Sequence, residues 1–102
     1  MGFIFKNMIV EKINFQNGTG LGLNFDMNNA PIIVIKADKG FVMCGYLDIN
    51  AANKLGDAAA KVKGVNCFED VLNAEIIDVS QPAKEFGIDT GMTGREALEK
   101  MF

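Results

Sequence analysis

Gly40-Phe41-Val42-Met43-Cys44-Gly45-Tyr46-Leu47-Asp48 is a short apolar run that ends in a thiol and a glycine and then meets Asp48, a residue type that opens helices. It reads as a strand passing into a helix. That junction sets Cys44 beside a helix start, where unpaired N–H groups and the positive end of the helix dipole favour a thiolate or a bound anion. Upstream, Asp38-Lys39-Gly40 turns the chain back onto Ile32-Ile33-Val34-Ile35, a run begun by Pro31, so the stretch is one arm of a hairpin. Asp26-Met27-Asn28-Asn29 is a loop. Before it, the turn signal Gln16-Asn17-Gly18 joins an apolar run from Phe3 to Phe15 to a second extended run from Thr19 to Phe25. Four antiparallel strands are thus predicted in the first half.

Within the first run Met8-Ile9-Val10 is apolar at consecutive positions, which predicts a strand covered on both faces, one by its own core and one by a neighbouring subunit. Gly18, Gly20 and Gly22 fall on one strand face at period two. They predict a bare groove where another strand or sheet can approach, a second argument for assembly. Their spacing is not the G-x-G-x-x-G of a dinucleotide site, and no helix follows.

Downstream of the opening stretch, Asp48 caps a helix through Leu55, with Ala51, Ala52 and Leu55 on one face and Gly56 placed to end it. From Asp57 to Gly64 two readings stand. Alanine propensity and the spacing Leu55, Ala58, Ala59, Val62 continue the helix; alternation at Ala60 and Val62 with the break at Gly64 makes a strand. Asn66 caps a short helix from Cys67 to Leu72, with Glu69 and Asp70 in its first turn. Glu75 to Val79 is a strand. Ser80 caps a helix with Pro82 near its start and Gly87 at its end, and the last helix opens with the capping box Thr93-Gly94-Arg95-Glu96, presenting Ala97, Leu98 and Met101 as an apolar stripe. The fold class is α+β: N-terminal antiparallel β-hairpins, a mixed region of short helices and strands, and a C-terminal helix.

At 102 residues the chain is read as one domain over 1–102, with 1–29 a hairpin region used for oligomerisation and 30–102 the core. The 10 basic and 13 acidic residues leave a net charge of −3, with the basic residues scattered singly, so no phosphate-binding stripe is present and nucleic acid is not expected as a partner. The longest apolar run, Ala30 to Ile35, is far short of the roughly 20 residues that span a bilayer, so no membrane association is expected. The segment Met1 to Asn7 shows neither a basic leader nor a small-residue cleavage site, and position 6 is Lys where myristoylation wants Ser or Thr; the expected location is the cytoplasm.

Cys44 and Cys67 are too few for a disulfide scaffold and are expected as free thiols. There is no histidine, which removes the usual general base and the commonest metal ligand together. Asp48-x-Asn50 fails as a calcium loop because position six is Asn53 and position twelve Ala59. No metal and no cofactor are expected.

The pattern Gly, aromatic, aliphatic, Met-Cys-Gly, one variable residue and Leu-Asp, carried here by residues 40–48, resembles the YunC-like family of small bacterial and archaeal proteins, a domain family of unknown function. Gly64-Val65 leading to Phe68-Glu69-Asp70-Val71-Leu72, and Gly87-Ile88 leading to Gly91-Met92-Thr93-Gly94-Arg95-Glu96-Ala97-Leu98, match as well. The resemblance covers most of the chain from Ala30 onward; the N-terminal hairpin matches only in character. It implies assembly into a tetramer through the N-terminal β region, and tips the segment from Ala58 to Lys63 towards a strand. It brings no activity.

Two functions follow. The first is a non-enzymatic, cytoplasmic, homo-oligomeric binding or structural module acting on an unspecified small molecule or as a scaffold. The alternative is a small enzyme or ligand sensor at the strand-to-helix junction, with Cys44 as its thiol, Gly45 and Asp48 binding, and Lys39 lending positive charge. Each of these residues also has a plain structural reading: Cys44 as a small buried hydrophobe, Asp48 as a cap, Gly45 as a turn or close approach. Gly91-Met92-Thr93-Gly94 could bind an anion through its amides, but the capping box already satisfies two of those donors.

Overall fold

Apolar alternation lays the first half of the chain out as strands, and short polar breaks decide where each one turns. The structure, a computed structural model, describes residues 2–4 and 6–102, the first three by their backbone. β1 (Gly2–Ile4), β2 (Met8–Asn14), β3 (Thr19–Asp26), β4 (Pro31–Lys36) and β5 (Gly40–Met43) follow as antiparallel neighbours. The single strand expected from Phe3 to Phe15 is therefore two, and the first half holds five strands where four were predicted. The polar pair Lys6-Asn7 bends the chain, and the Asn7 carbonyl accepts from the Asp26 N–H at 2.8 Å. Phe5 lies outside the described residues.

The undecided segment is a strand, β6 (Ala58–Lys61), parallel to β5, with α1 (Ile49–Leu55) as the crossover. Gly56 ends α1 in the left-handed region at φ 79°, its N–H bonded back to the carbonyls of Ala52 and Asn53. Alanine propensity loses because Ala58 and Ala60 are worth more buried beside Gly40 and Val42. A Cβ on Gly40 would strike the Ala58 carbonyl, so only a glycine lets these two strands meet.

β7 (Asp78–Val79) pairs antiparallel with β6 and completes a seven-stranded mixed sheet in chain order. The strand expected from Glu75 to Val79 is shorter than predicted because Glu75 bridges Thr93, and the Ile76 N–H donates to the Met92 carbonyl at 2.7 Å. These residues pair with the approach to the last helix instead.

α2 (Phe68–Asn73) starts one residue later than expected: Cys67 is its N-cap, and the Asn66 N–H donates to the Asp70 carboxylate at 3.0 Å. α3 (Gln81–Glu85) and α4 (Gly94–Glu99) begin at Ser80 and at the Thr93/Glu96 capping box, as their sequences require.

The main core lies on one face of the sheet, where Ile33, Ile35, Val42, Ala60 and Val79 meet Val71 and Leu72 of α2, Ala97 and Leu98 of α4, and Met101. By register Gly20 and Gly22 share that face with Ile35. The bare groove expected along the glycines is not open to another chain. Phe68 lies 2.7 Å from the Cβ position of Gly22, Phe15 lies 2.9 Å from that of Gly20, and Phe102 fills the space beside Gly18. The glycines make room for the chain's own aromatic rings.

On the opposite face α1 covers β6, burying Ile49, Ala52 and Ala59. The register then puts Met8, Val10, Leu21, Leu23, Phe25, Ile32 and Val34 together on the rest of that face. None is fully buried, and Leu21 is 51% exposed and Phe25 40%. Ile9 points to the face that carries α2 and α4 but is 37% exposed there, so β2 presents apolar residues on both sides of the sheet without its own core covering Ile9. The radius of gyration, 12.5 Å, is close to the roughly 13 Å of a folded domain this size, which makes the N-terminal strands a continuation of the sheet and not a projecting arm.

Candidate functional site

β5 and β6 run parallel, so their carboxyl ends open on the same side, the place where sheets with parallel strands collect ligands. β5 runs into Cys44-Gly45-Tyr46 and the chain beyond β6 into Gly64-Val65-Asn66, while Pro31, opening the antiparallel β4, closes a third side. Together they enclose a crevice of about 310 Å³.

Cys44 forms part of its wall and is only 4% exposed. Its N–H donates to the Ile33 carbonyl at 3.0 Å, but its own carbonyl is taken by the Leu47 N–H, also at 3.0 Å, as the chain turns. The Ile33 N–H would be left without a ladder partner. It donates to Cys44 Sγ at 3.4 Å, and the S–H reaches the Pro31 carbonyl at 3.8 Å. The sulfur thus extends the β4–β5 ladder one residue beyond the last backbone pair.

The expected coupling of this thiol to the helix start is not the contact observed. Asp48 Oδ1 accepts from the N–H groups of Asn50 at 2.9 Å and Ala51 at 3.4 Å, while the sulfur finds its partners on β4. Gly45 is exposed at the crevice mouth, with ordinary φ and nothing within 4 Å of its Cβ position. The turn expected of it is there, closed by the Leu47 N–H on the Cys44 carbonyl at 3.0 Å, but it asks for neither a left-handed φ nor a close approach within this chain. Lys39 sits in the β4–β5 turn, its N–H donating to the Met101 carbonyl at 2.8 Å, and lines a separate cavity of about 290 Å³ with Lys36, Asp38 and Asp57. A strand length of about 16 Å separates it from Cys44. The structure therefore groups Cys44 with Gly45, leaves Asp48 at its cap, and puts Lys39 at the far end of β5.

Pro31, Tyr46, Gly64 and Asn66 complete the crevice without having been singled out as site residues. Pro31, Gly64 and Asn66 carried local signals of a strand start, a break and a cap, none of which pointed to a shared crevice; the φ of 69° at Gly64 explains its break. A third, shallower space of about 640 Å³ lies between the β2–β3 turn and α4, where the Arg95 guanidinium sits 5.6 Å from the centre of the Phe15 ring and Glu99 Oε2 accepts from the Gln16 N–H at 3.2 Å. On the same helix, the bond from the Thr93 N–H, with help from the Thr93 side chain, holds the Glu96 carboxyl below its ordinary range. Among the described residues no group of three or more Cys, Asp or Glu is placed to hold a metal ion, and no helix is long and apolar enough to cross a membrane.

A mixed sheet with helices on both faces and a crevice at the ends of its parallel pair defines an α+β domain with a ligand-sized cleft. Residues 43–101 match the model of a domain of unknown function, DUF1805, and the chain belongs to that family. It is similar to the uncharacterized protein YunC of Bacillus subtilis (strain 168), with 37% identity over 73 residues, 68% of this chain and 72% of YunC. The crystal structure of a protein of unknown function, TA1206 from Thermoplasma acidophilum, has the same fold, with a TM-score of 0.90 and 34% identity over 98% of this chain and 99% of that one. The resemblance read from residues 40–48 is thereby borne out. The family match includes Cys44, Gly45, Tyr46, Gly64 and Asn66, and begins at Met43, the last residue of β5.

Proposed function

We propose that the protein is a cytoplasmic binding or structural module that works as a homo-oligomer, a tetramer, assembled through its N-terminal β region. The observation that carries this reading is the open apolar face of β2 to β4, with Val10, Leu21, Leu23, Phe25, Ile32 and Val34 side by side. Contiguous apolar surface of this kind favours a protein partner, and a two-fold axis lets the same patch serve on both copies. A tetramer needs a second contact, for which the sheet edge at β1 is suited, since an edge strand offers unpaired backbone groups.

Sedimentation velocity tests it. A wild-type mass of four chains, reduced by Leu21→Asp with Phe25→Asp while the circular dichroism spectrum stays unchanged, is the expected result. A wild-type monomer at micromolar concentration overturns it. Both side chains are exposed in the single chain, so the substitutions leave its core alone.

The crevice favours a second reading, a ligand sensor or small enzyme using Cys44. Its test is alkylation of Cys44 against pH in a Cys67→Ser background. Slow reaction across the range supports the module, and rapid reaction near neutral pH supports the sensor or enzyme.

A further inference from the structure

Among the glycines from Gly18 onward, Gly18, Gly20, Gly22, Gly40 and Gly94 have no space for a Cβ, and Gly56, Gly64, Gly87 and Gly91 have φ values that side chains rarely adopt. Gly45 alone has neither reason: its φ is outside the left-handed region, and nothing lies within 4 Å of its Cβ position. It stands at the mouth of the crevice. A glycine that its own chain does not require leaves the backbone open to close approach by something else, and here the adjoining space is a cavity, not a neighbouring element.

The lining of that cavity restricts what enters. No charged side chain contributes to it, so a charged ligand would lose hydration without gaining a partner. Pro31 and the Tyr46 ring present flat apolar surfaces, and Gly45 and Gly64 bring bare peptide groups to it from the ends of both parallel strands. Asn66 and Tyr46 add a carboxamide and a hydroxyl whose polar atoms form no hydrogen bond within the described chain, while the Cys44 sulfur is already engaged with β4. At about 310 Å³ the crevice matches the small end of ligand pockets, which start at roughly 300 Å³. We infer that it binds a flat, uncharged, hydrogen-bonding heterocycle of single-ring or nucleobase size, with its face against the Gly45 backbone. The site is built within one copy of the chain, so it does not depend on the assembly proposed above.

The test is a titration of ¹⁵N-labelled protein, followed by amide chemical shifts, with nicotinamide, uracil and adenine as neutral probes and nicotinate as the charged counterpart of nicotinamide. Saturable shifts centred on Gly45, Gly64, Val65 and Asn66 are expected for at least one neutral probe, with nicotinate weaker than nicotinamide by about tenfold or more. Gly45→Leu, for which the folded chain has open space, is expected to abolish them at unchanged melting temperature. Tyr46→Ala, at a side chain 54% exposed, is a second variant, expected to weaken the same shifts. No saturable shift with any neutral probe, equal response to nicotinate, or survival of the shifts in Gly45→Leu would overturn the inference. So would a change in sedimentation caused by Gly45→Leu, because it would mean that Gly45 faces another copy and not a ligand.

Discussion

The sulfur of Cys44 stands where a ladder carbonyl would, and that substitution gives the residue a structural use that can be measured. Cys44→Ala leaves the Ile33 N–H buried without an acceptor and is expected to cost about 1–3 kcal/mol by urea denaturation, whereas Cys44→Ser keeps an acceptor and should cost less. Equal losses in the two variants would show that packing, not the hydrogen bond, is what the thiol supplies. Ser80 is a comparable case. It is fully buried, donates to the Asp57 carbonyl at 2.7 Å, and accepts from the N–H groups of Ala59 at 2.9 Å and Ala83 at 3.4 Å. The sequence marks it as a helix cap; its contacts with the strand side, 21 and 23 residues away, are invisible there. Ser80→Ala should therefore exceed the usual loss of about 1 kcal/mol for an N-cap, read from the shift in the urea midpoint.

At the scale of elements, the helix ends were the most legible part of the chain. Asp48, Gly56, Ser80 and the Thr93/Glu96 box act within three or four residues, so their chemistry is written locally. Glu96 also sets a pH dependence. Its carboxyl is held low by Thr93, so near the acid end the unfolded chain binds more protons than the folded one. The contribution is complete above the ordinary carboxylate range and is lost as the pH falls through the lower folded value. The stability difference between wild type and Glu96→Gln, followed by thermal melts from pH 7 to pH 3, should accordingly shrink towards the acid end.

Element packing was less legible. Gly94 reads only as a residue inside a capping box, yet an added Cβ would strike the Val71 carbonyl of α2. Gly94→Ala is expected to destabilise by about 1–3 kcal/mol, because the obstacle is backbone that can yield only by moving a helix. A melting temperature equal to wild type would show that α2 and α4 shift apart freely.

For the whole molecule, the decisive feature is that one sheet has two unequal faces. The first is filled by α2, α4 and the aromatic rings that occupy the glycine groove; Phe15 and Phe102 meet there with ring centres 5.4 Å apart. The second is covered by α1 only over β6, and the open remainder is where assembly is proposed. Of the two sequence arguments for assembly, the consecutive apolar residues of β2 remain and the glycine stripe does not. By itself the sequence determined the α+β class, the hairpins at Gln16-Asn17-Gly18 and Asp38-Lys39-Gly40, the caps at Asp48, Ser80 and Thr93, and the family, because alternation, turns and caps depend on neighbours in the chain. Tertiary structure settled that Ala58 to Lys61 is a strand, which propensity and alternation left even and the resemblance tipped, and it alone decided that Phe68 fills the space beside Gly22 and that Pro31, Cys44, Gly45 and Asn66 share one crevice. Those outcomes depend on burial and register between segments far apart in the chain, which no local pattern of residues encodes.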